Sequence, residues 1–172
     1  MLETPEELAD LQTLLDRCFE RRERYAATIL TPERRLTAAQ TMTYLQNAKH
    51  LVLSTVSARS EPVSAPLDGW FVHGRFMVST GGGSLRARHL MRRPQASVCH
   101  VNGDDCAFWV HGAAERIPPE HALAADFRRV ALAVYGSDPY SWDEDVAVFA
   151  IQPRVMFSYA AEPAKYPPFP GD

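Results

Sequence analysis

The spacing of apolar residues along this chain changes character near position 50. Before it, Leu8, Leu11, Leu15 and Cys18/Phe19 recur at helical intervals and predict a helix over residues 5–25, with Glu6 and Glu7 in its first turn. Thr31-Pro32 breaks that pattern. Thr37 and Gln40 have the spacing of a capping box and predict a short second helix to about Ala48, whose Met42, Leu45 and Gln46 face is weakly apolar. From His50 to Ser57 the chain is apolar and β-branched, as a buried strand should be. Residues 58–62 read as a turn, Val63 to Val72 as a strand bent at Pro66 and Gly69, and His73-Gly74 as a tight hairpin turn. Arg75 to Ser79 is a third strand, Leu85 to Arg93 a short helix stopped by Pro94, and Ala96 to Val101 a fourth strand. Asn102 to Asp105 is a hairpin loop before a long fifth strand, Cys106 to Ile117. Pro118-Pro119 opens a helix to Val134 or Tyr135, closed by Gly136. Residues 138–145 form a loop. Val146 to Ile151 and Val155 to Ala160 make a last strand or hairpin interrupted at Pro153.

Six short strands joined by hairpin turns, with few helices, predict a mainly β, α+β protein built on a six-stranded antiparallel barrel with peripheral helices. The organisation expected is a helical extension over residues 1–48, a barrel domain over 49–161 and a Pro-rich tail over 162–172.

Composition narrows the function classes. A chain of 172 residues, 46% hydrophobic and 23% charged, is a single globular domain in size and is not disordered throughout. Its net charge of −3 excludes a nucleic-acid binder that works by bulk charge, although sixteen of the eighteen basic residues are Arg. The three cysteines, Cys18, Cys99 and Cys106, are odd in number and lack a CxxC pair, so they read as reduced core residues. The N-terminus has neither a basic stretch nor an apolar one, and no apolar run approaches the roughly 18 residues of a membrane span. The expectation is a cytoplasmic protein with no membrane and no nucleic-acid partner.

One segment concentrates chemistry. A strand ends in Ser79-Thr80, three glycines follow, and Ser84 can cap a helix with Arg86 in its first turn and Arg88 and His89 just behind. Hydroxyls, open helix N–H groups and a guanidinium together make a phosphate site. The run matches neither a P-loop nor a GxGxxG fingerprint. A capped surface helix with a solvated basic face is the alternative reading. Of the six histidines none forms an HExxH pair, and there is no GxSxG. His100 and His111 fall on adjacent predicted strands, where they meet as a metal or heme site or serve as hydrogen-bonded barrel residues. No metal ligand set is assigned. Asp143, Glu144 and Asp145 read as a solvated loop, as does the Arg92-Arg93 pair.

The stretch from His50 to Ile117 resembles the FMN-binding split-barrel family related to pyridoxamine 5'-phosphate oxidase, whose wider superfamily includes enzymes that use a deazaflavin coenzyme. The residues that carry the resemblance are Leu51 to Val56, Glu61-Pro62, the frame Ser79-Thr80, Ser84-Leu85-Arg86, Leu90 and Arg93-Pro94, and the strand Trp109 to Glu115. It implies a Greek-key split barrel, a homodimer with cofactor sites at the subunit interface, and a small-molecule substrate. It also implies that the cofactor phosphate lies against Thr80, Ser84 and Arg86, with Ser79, Arg88 and His89 nearby. The isoalloxazine ring is expected along the second strand at Pro66, Leu67, Asp68 and Gly69, with Trp70 and Trp109 either walling the cleft or packing the barrel. The chain departs from the oxidase on that strand. Ala65 and Trp70 stand where the family carries basic residues, and Leu85 replaces an Arg. The resemblance therefore points to an FMN- or deazaflavin-binding oxidoreductase other than a true pyridoxamine phosphate oxidase. Its alternative is a non-catalytic flavin- or heme-binding barrel, the heme case resting on His89, His100 or His111. No catalytic residue declares itself.

Overall fold

Alternation of side chains along six strands is what closes this fold. The structure, a computed structural model, describes residues 2–168. The strands are β1 (Lys49–Val56), β2 (Pro62–Val72), β3 (Arg75–Gly81), β4 (Gln95–Asn102), β5 (Cys106–Arg116) and β6 (Val146–Ala160). They form a closed antiparallel barrel in the order β1-β2-β3-β6-β5-β4, sealed where Val52–Ser54 pairs with Ser97–Cys99. Within it β4 returns beside β1 after the β1-β2-β3 meander, which is the Greek key expected. Leu51, Leu53, Phe71, Phe76, Val78, Val98, Phe108, Val110, Phe149 and Met156 fill the interior.

Helices close the barrel. They are α1 (Pro5–Glu20), α2 (Ala26–Ile29), α3 (Ala38–Leu45), α4 (Leu85–Arg92) and α5 (Ala122–Tyr135). Leu11 and Leu15 of α1, Leu36, and Met42 and Leu45 of α3 belong to the same apolar cluster as the barrel interior, as do Ala87 and Leu90 of α4. The outward faces of β2, β3 and β6 carry Trp70, Val72, Met77, Val148 and Ala150, which form a second cluster with Ala124, Phe127 and Ala131 of α5. One sheet is thus apolar on both faces along these strands, which is why they read as continuous hydrophobic runs.

Three element boundaries differ from expectation. α1 ends at Glu20, not near residue 25, because the Arg22 guanidinium folds back over the Phe19 ring at 3.6 Å and donates to the Phe19 carbonyl. That contact supplies a partner to a terminal carbonyl and turns the chain into α2. α5 starts at Ala122 and not at Pro118-Pro119. The residue before a proline favours extended backbone, and Ile117 uses its N–H to continue the sheet onto the Val148 carbonyl at 2.9 Å. His121 caps the helix, accepting from Leu123 N–H at 3.1 Å. β6 is one strand across Pro153. The irregularity falls on the partner, as a bulge between His111 and Gly112, and a side chain at Gly112 would collide with the Gln152 carbonyl. Of the Pro-rich tail, Pro163–Lys165 is a 3-10 turn, and residues 169–172 lie outside the described residues.

The β2–β3 hairpin is tied to two helices through one imidazole. His73, at positive φ in the turn, contacts Glu7 of α1 through Nδ1 at 2.9 Å and Asp126 of α5 through Nε2 at 2.9 Å. Its backbone N–H donates to Glu3 at 2.9 Å. Burial opposes charge on His73, but the hydrogen bonds and charges of Glu7 and Asp126 outweigh it and raise its pKa above 6.5. Burial pushes Glu7 up, yet its bonds to His73 and Thr4 leave it below 4.5. A raised histidine stabilises the fold fully below its ordinary value and loses that contribution as pH rises through the native value. A lowered carboxylate does the reverse, and its contribution fades as pH falls. The clasp is therefore strongest in mildly acidic solution. His73→Ala is expected to destabilise the protein more at pH 6 than at pH 9, by about 1 kcal/mol, in urea unfolding at the two pH values. An equal loss at both would show that the imidazolium contributes nothing.

Candidate functional site

β2 and β3 do not stay together along their length. They pair only from Gly69 to Val72 against Arg75 to Val78. Beyond Gly69, residues 62–68 of β2 continue on β1, while residues 79–81 of β3 continue on β6. The two strands part there, and β2 keeps one edge without a strand partner. Pro62 and Pro66, which cannot donate to a ladder, suit such an edge.

α4 begins at the foot of this gap. Ser84 caps it by accepting from Ala87 N–H at 3.1 Å, and its hydroxyl lies 3.2 Å from that of Thr80. The Ser84 side chain thus meets both the strand end and the helix start. A cavity of about 180 Å³ opens between Leu53, Thr55, Val63 and Ala65 of the barrel and Ser84, Leu85 and Arg86 of the helix. Arg86 is half-buried at its edge, and burial lowers its pKa. Among the described residues its guanidinium has no carboxylate and no hydrogen-bond acceptor. Guanidinium groups held away from water are ordinarily paired, and the Arg86 guanidinium at this cavity is not.

The glycine run itself contributes little to such a site. Gly82 N–H is spent on the Asp145 carbonyl at 2.6 Å and Ser84 N–H on the Gly81 carbonyl at 3.0 Å. The residues read as a solvated acidic loop lie against it: a side chain at Gly82 would meet the Asp145 carboxylate, and one at Gly81 would approach Asp143 Oδ2 to 3.5 Å. The triple glycine therefore admits a neighbouring loop. The polar groups gathered at this end of the gap are the Thr80 and Ser84 hydroxyls, the Arg86 guanidinium and the first turn of α4.

The structure distributes the remaining candidate residues among separate places. His89 is buried beneath the cavity and bonds through Nδ1 to Thr55 Oγ1 at 3.0 Å, so it reaches the cavity through Thr55. Arg88 is exposed on the far face of the turn. Leu67 packs against the barrel interior, and Gly69 faces inward where any side chain would strike Leu51. Pro66 is exposed on the outer face. Asp68 and Ser79 line a second, outer cavity of about 510 Å³ with Trp70, Tyr135, Ser137 and Trp142. Tyr135, Ser137 and Trp142 were not marked by the sequence. The α5 C-terminus and the following loop reach Asp68 only through the tertiary fold. Trp109 does not wall either cavity and stacks on Phe157 at 5.5 Å elsewhere on the barrel. His100 and His111 do not meet. His100 points inward, with its nitrogens on the His50 carbonyl and the Tyr44 hydroxyl, each at 2.8 Å, whereas His111 is exposed and bonds Ser97 at 2.7 Å. Among the described residues no three His, Cys, Asp or Glu side chains gather as a metal site, and no helix is long and apolar enough to cross a membrane.

A family model described as pyridoxamine 5'-phosphate oxidase matches residues 37–159. The chain belongs to that family. The match spans the capped α3, the whole barrel and α5. No curated protein matches the sequence. Solved structures of the same fold include a conserved hypothetical protein from Mycobacterium tuberculosis, at 17% identity, TM-score 0.65, and coverage of 80% of this chain and 92% of the other. The heme storage protein HutZ from Vibrio cholerae is 19% identical, with TM-score 0.60 and coverage of 70% and 92%. An F420 reductase is 15% identical, with TM-score 0.54 and coverage of 67% and 94%. At these identities the likeness is one of fold.

Ser84→Ala removes both the helix cap and the contact to Thr80, and is expected to cost about 1 kcal/mol in chemical denaturation. Arg88→Ala, on the exposed side of the same turn, is expected to stay within about 0.5 kcal/mol of wild type. Equal costs would show that the helix start is not held through Ser84.

Proposed function

We propose that this member of the family binds a phosphorylated tricyclic redox cofactor, FMN or a deazaflavin coenzyme, and acts as an oxidoreductase other than a pyridoxamine 5'-phosphate oxidase. The observation that carries the reading is the half-buried Arg86 guanidinium, without a partner among the described residues, beside the Thr80 and Ser84 hydroxyls at a helix start. These residues fit a phosphate in charge, donor type and position. His89 bonds Thr55 of the cavity wall, and Arg88 adds a positive charge on the exposed side of the same helix. The unpaired edge of β2 offers backbone to a ring at Pro66, Leu67 and Asp68, up to Gly69 where pairing with β3 begins, with Ser79 across the gap. Leu53, Val63 and Ala65 supply an apolar wall. Such a cofactor, when bound, supplies the hydride chemistry, and the protein binds and orients it.

Two features argue against pyridoxamine phosphate as substrate. Ala65 and Trp70 occupy the β2 positions where the resemblance would place basic residues, and the outer cavity holds Asp68 with no Lys or Arg lining it. A second phosphate would meet a carboxylate there. The heme reading has less behind it, because both His100 nitrogens are engaged and His89 and His111 are each bonded to a side chain. The outer barrel face exposes Val52 and Val101, 46% and 60% accessible, near the Trp109–Phe157 stack. That apolar area supports assembly as a homodimer.

Titration of cofactor-free protein with FMN and, separately, with a deazaflavin coenzyme tests the reading. Saturable fluorescence quenching with one of them is expected, and Arg86→Ala is expected to weaken it by more than about tenfold while leaving the circular dichroism spectrum unchanged. Equal affinity in wild type and variant would remove the phosphate assignment. Binding of neither cofactor would remove the function proposed.

A further inference from the structure

The outer cavity has a chemistry of its own, unlike that of the Arg86 cavity. Trp70, Tyr135 and Trp142 surround it as an aromatic group, with ring centroids 5.6 Å apart for Trp70–Tyr135, 6.1 Å for Trp70–Trp142 and 5.2 Å for Tyr135–Trp142. Their orientation is fixed from behind. Trp70 is 2% exposed and packs edge-on against Phe127 of α5 at 5.4 Å, and Trp142 donates its indole N–H to Ser137 at 2.7 Å. Gly136, at φ 69°, ends α5 and turns the chain so that Tyr135 and Ser137 both reach the cavity. Tyr135 and Trp142 keep part of their rings open to solvent.

The polar groups in this cavity are unequal in charge. Asp68 is the one ionisable carboxylate of the lining, and no Lys or Arg joins it. The Tyr135 hydroxyl donates to Asp68, and this contact pushes the Tyr135 pKa up to about 12, so the phenol stays protonated. His50 Nδ1, on an almost fully exposed side chain, approaches Asp68 at 2.7 Å. Asp143 and Asp145 flank the adjoining Gly81-Gly82 edge. The Trp70 indole N–H is buried and has no acceptor among the described residues. An indole N–H left without a partner costs free energy unless something supplies the acceptor.

We propose that this cavity binds an organic cation: a substituted ammonium group, or a protonated nitrogen base, carrying a hydrogen-bond acceptor such as a hydroxyl. Aromatic faces attract a cation through their quadrupoles, most strongly where water is partly excluded. Asp68 supplies the countercharge, and the acceptor on the ligand meets the Trp70 N–H. The same set disfavours phosphates and carboxylates, because the lining holds a carboxylate and neither Lys nor Arg. The two cavities thus divide the site by charge, with anions at the start of α4 and cations at the end of α5.

Choline and its neutral carbon isostere 3,3-dimethylbutan-1-ol test this directly, followed by the fluorescence of the three tryptophans at constant ionic strength. Two of the three line the cavity, and Trp109 lies outside it. Saturable quenching by choline and a response at least about tenfold weaker to the alcohol are expected. Asp68→Asn and Trp142→Leu are each expected to weaken choline binding by about tenfold. Trp142 is partly exposed, so its replacement leaves the buried core intact. Equal responses to cation and isostere, or no saturable response to choline, would overturn the proposal. Arg86→Ala protein separates it from the cofactor reading, because that variant is expected to bind choline as wild type does even where flavin binding is lost.

Discussion

The separation of β2 from β3 at Gly69 is the constraint on which both cavities depend. Up to that point the hairpin is held by the His73 turn and by Phe71 against Phe76, 4.9 Å between centroids. At Gly69 the strand passes so close to Leu51 that no side chain fits. Past it, β2 follows β1 and β3 follows β6. A barrel can part its strands in this way only if something else closes the end. α4 does so, with Ala87 and Leu90 in the interior cluster, and it brings Ser84 and Arg86 to the gap as a consequence.

The same parting decides which chemistry faces which side. Because side chains alternate along a strand, neighbours in sequence separate across the sheet. Thr80 turns toward the helix start and the Arg86 cavity, whereas Ser79 and Asp68 line the outer cavity with the α5 terminus. Arg86 places a positive charge at the one cavity, and Asp68 places a carboxylate among aromatic rings at the other. The two sides of one strand edge therefore present opposite charge. The glycine run between them serves packing, since it admits the Asp143–Asp145 loop that follows Trp142.

Much of this architecture was legible in order along the chain. Apolar, β-branched runs bounded by turn residues marked the strands, the Thr37–Gln40 box marked α3, and Gly136 marked the end of α5. The grouping of Thr80, Ser84 and Arg86 was legible too, because they lie within seven residues and a capped helix start fixes their relation locally. The misplaced boundaries share a cause. The end of α1 depends on Arg22 reaching Phe19, the start of α5 on Ile117 extending the sheet to Val148, and the continuity of β6 on a bulge in β5. In each, a partner distant in sequence or a side chain folding back overrode local propensity.

The sequence by itself determined the strand count, the barrel class and the local half of the site, because alternation, caps and turns act over a few residues. Tertiary structure alone decided that Arg86 has no partner among the described residues, that His100 and His111 face opposite ways, and that Tyr135 and Trp142 meet Trp70 and Asp68 across sixty or more residues of chain. Partnership between distant side chains depends on register and closure, and a one-residue shift of either would exchange inside for outside.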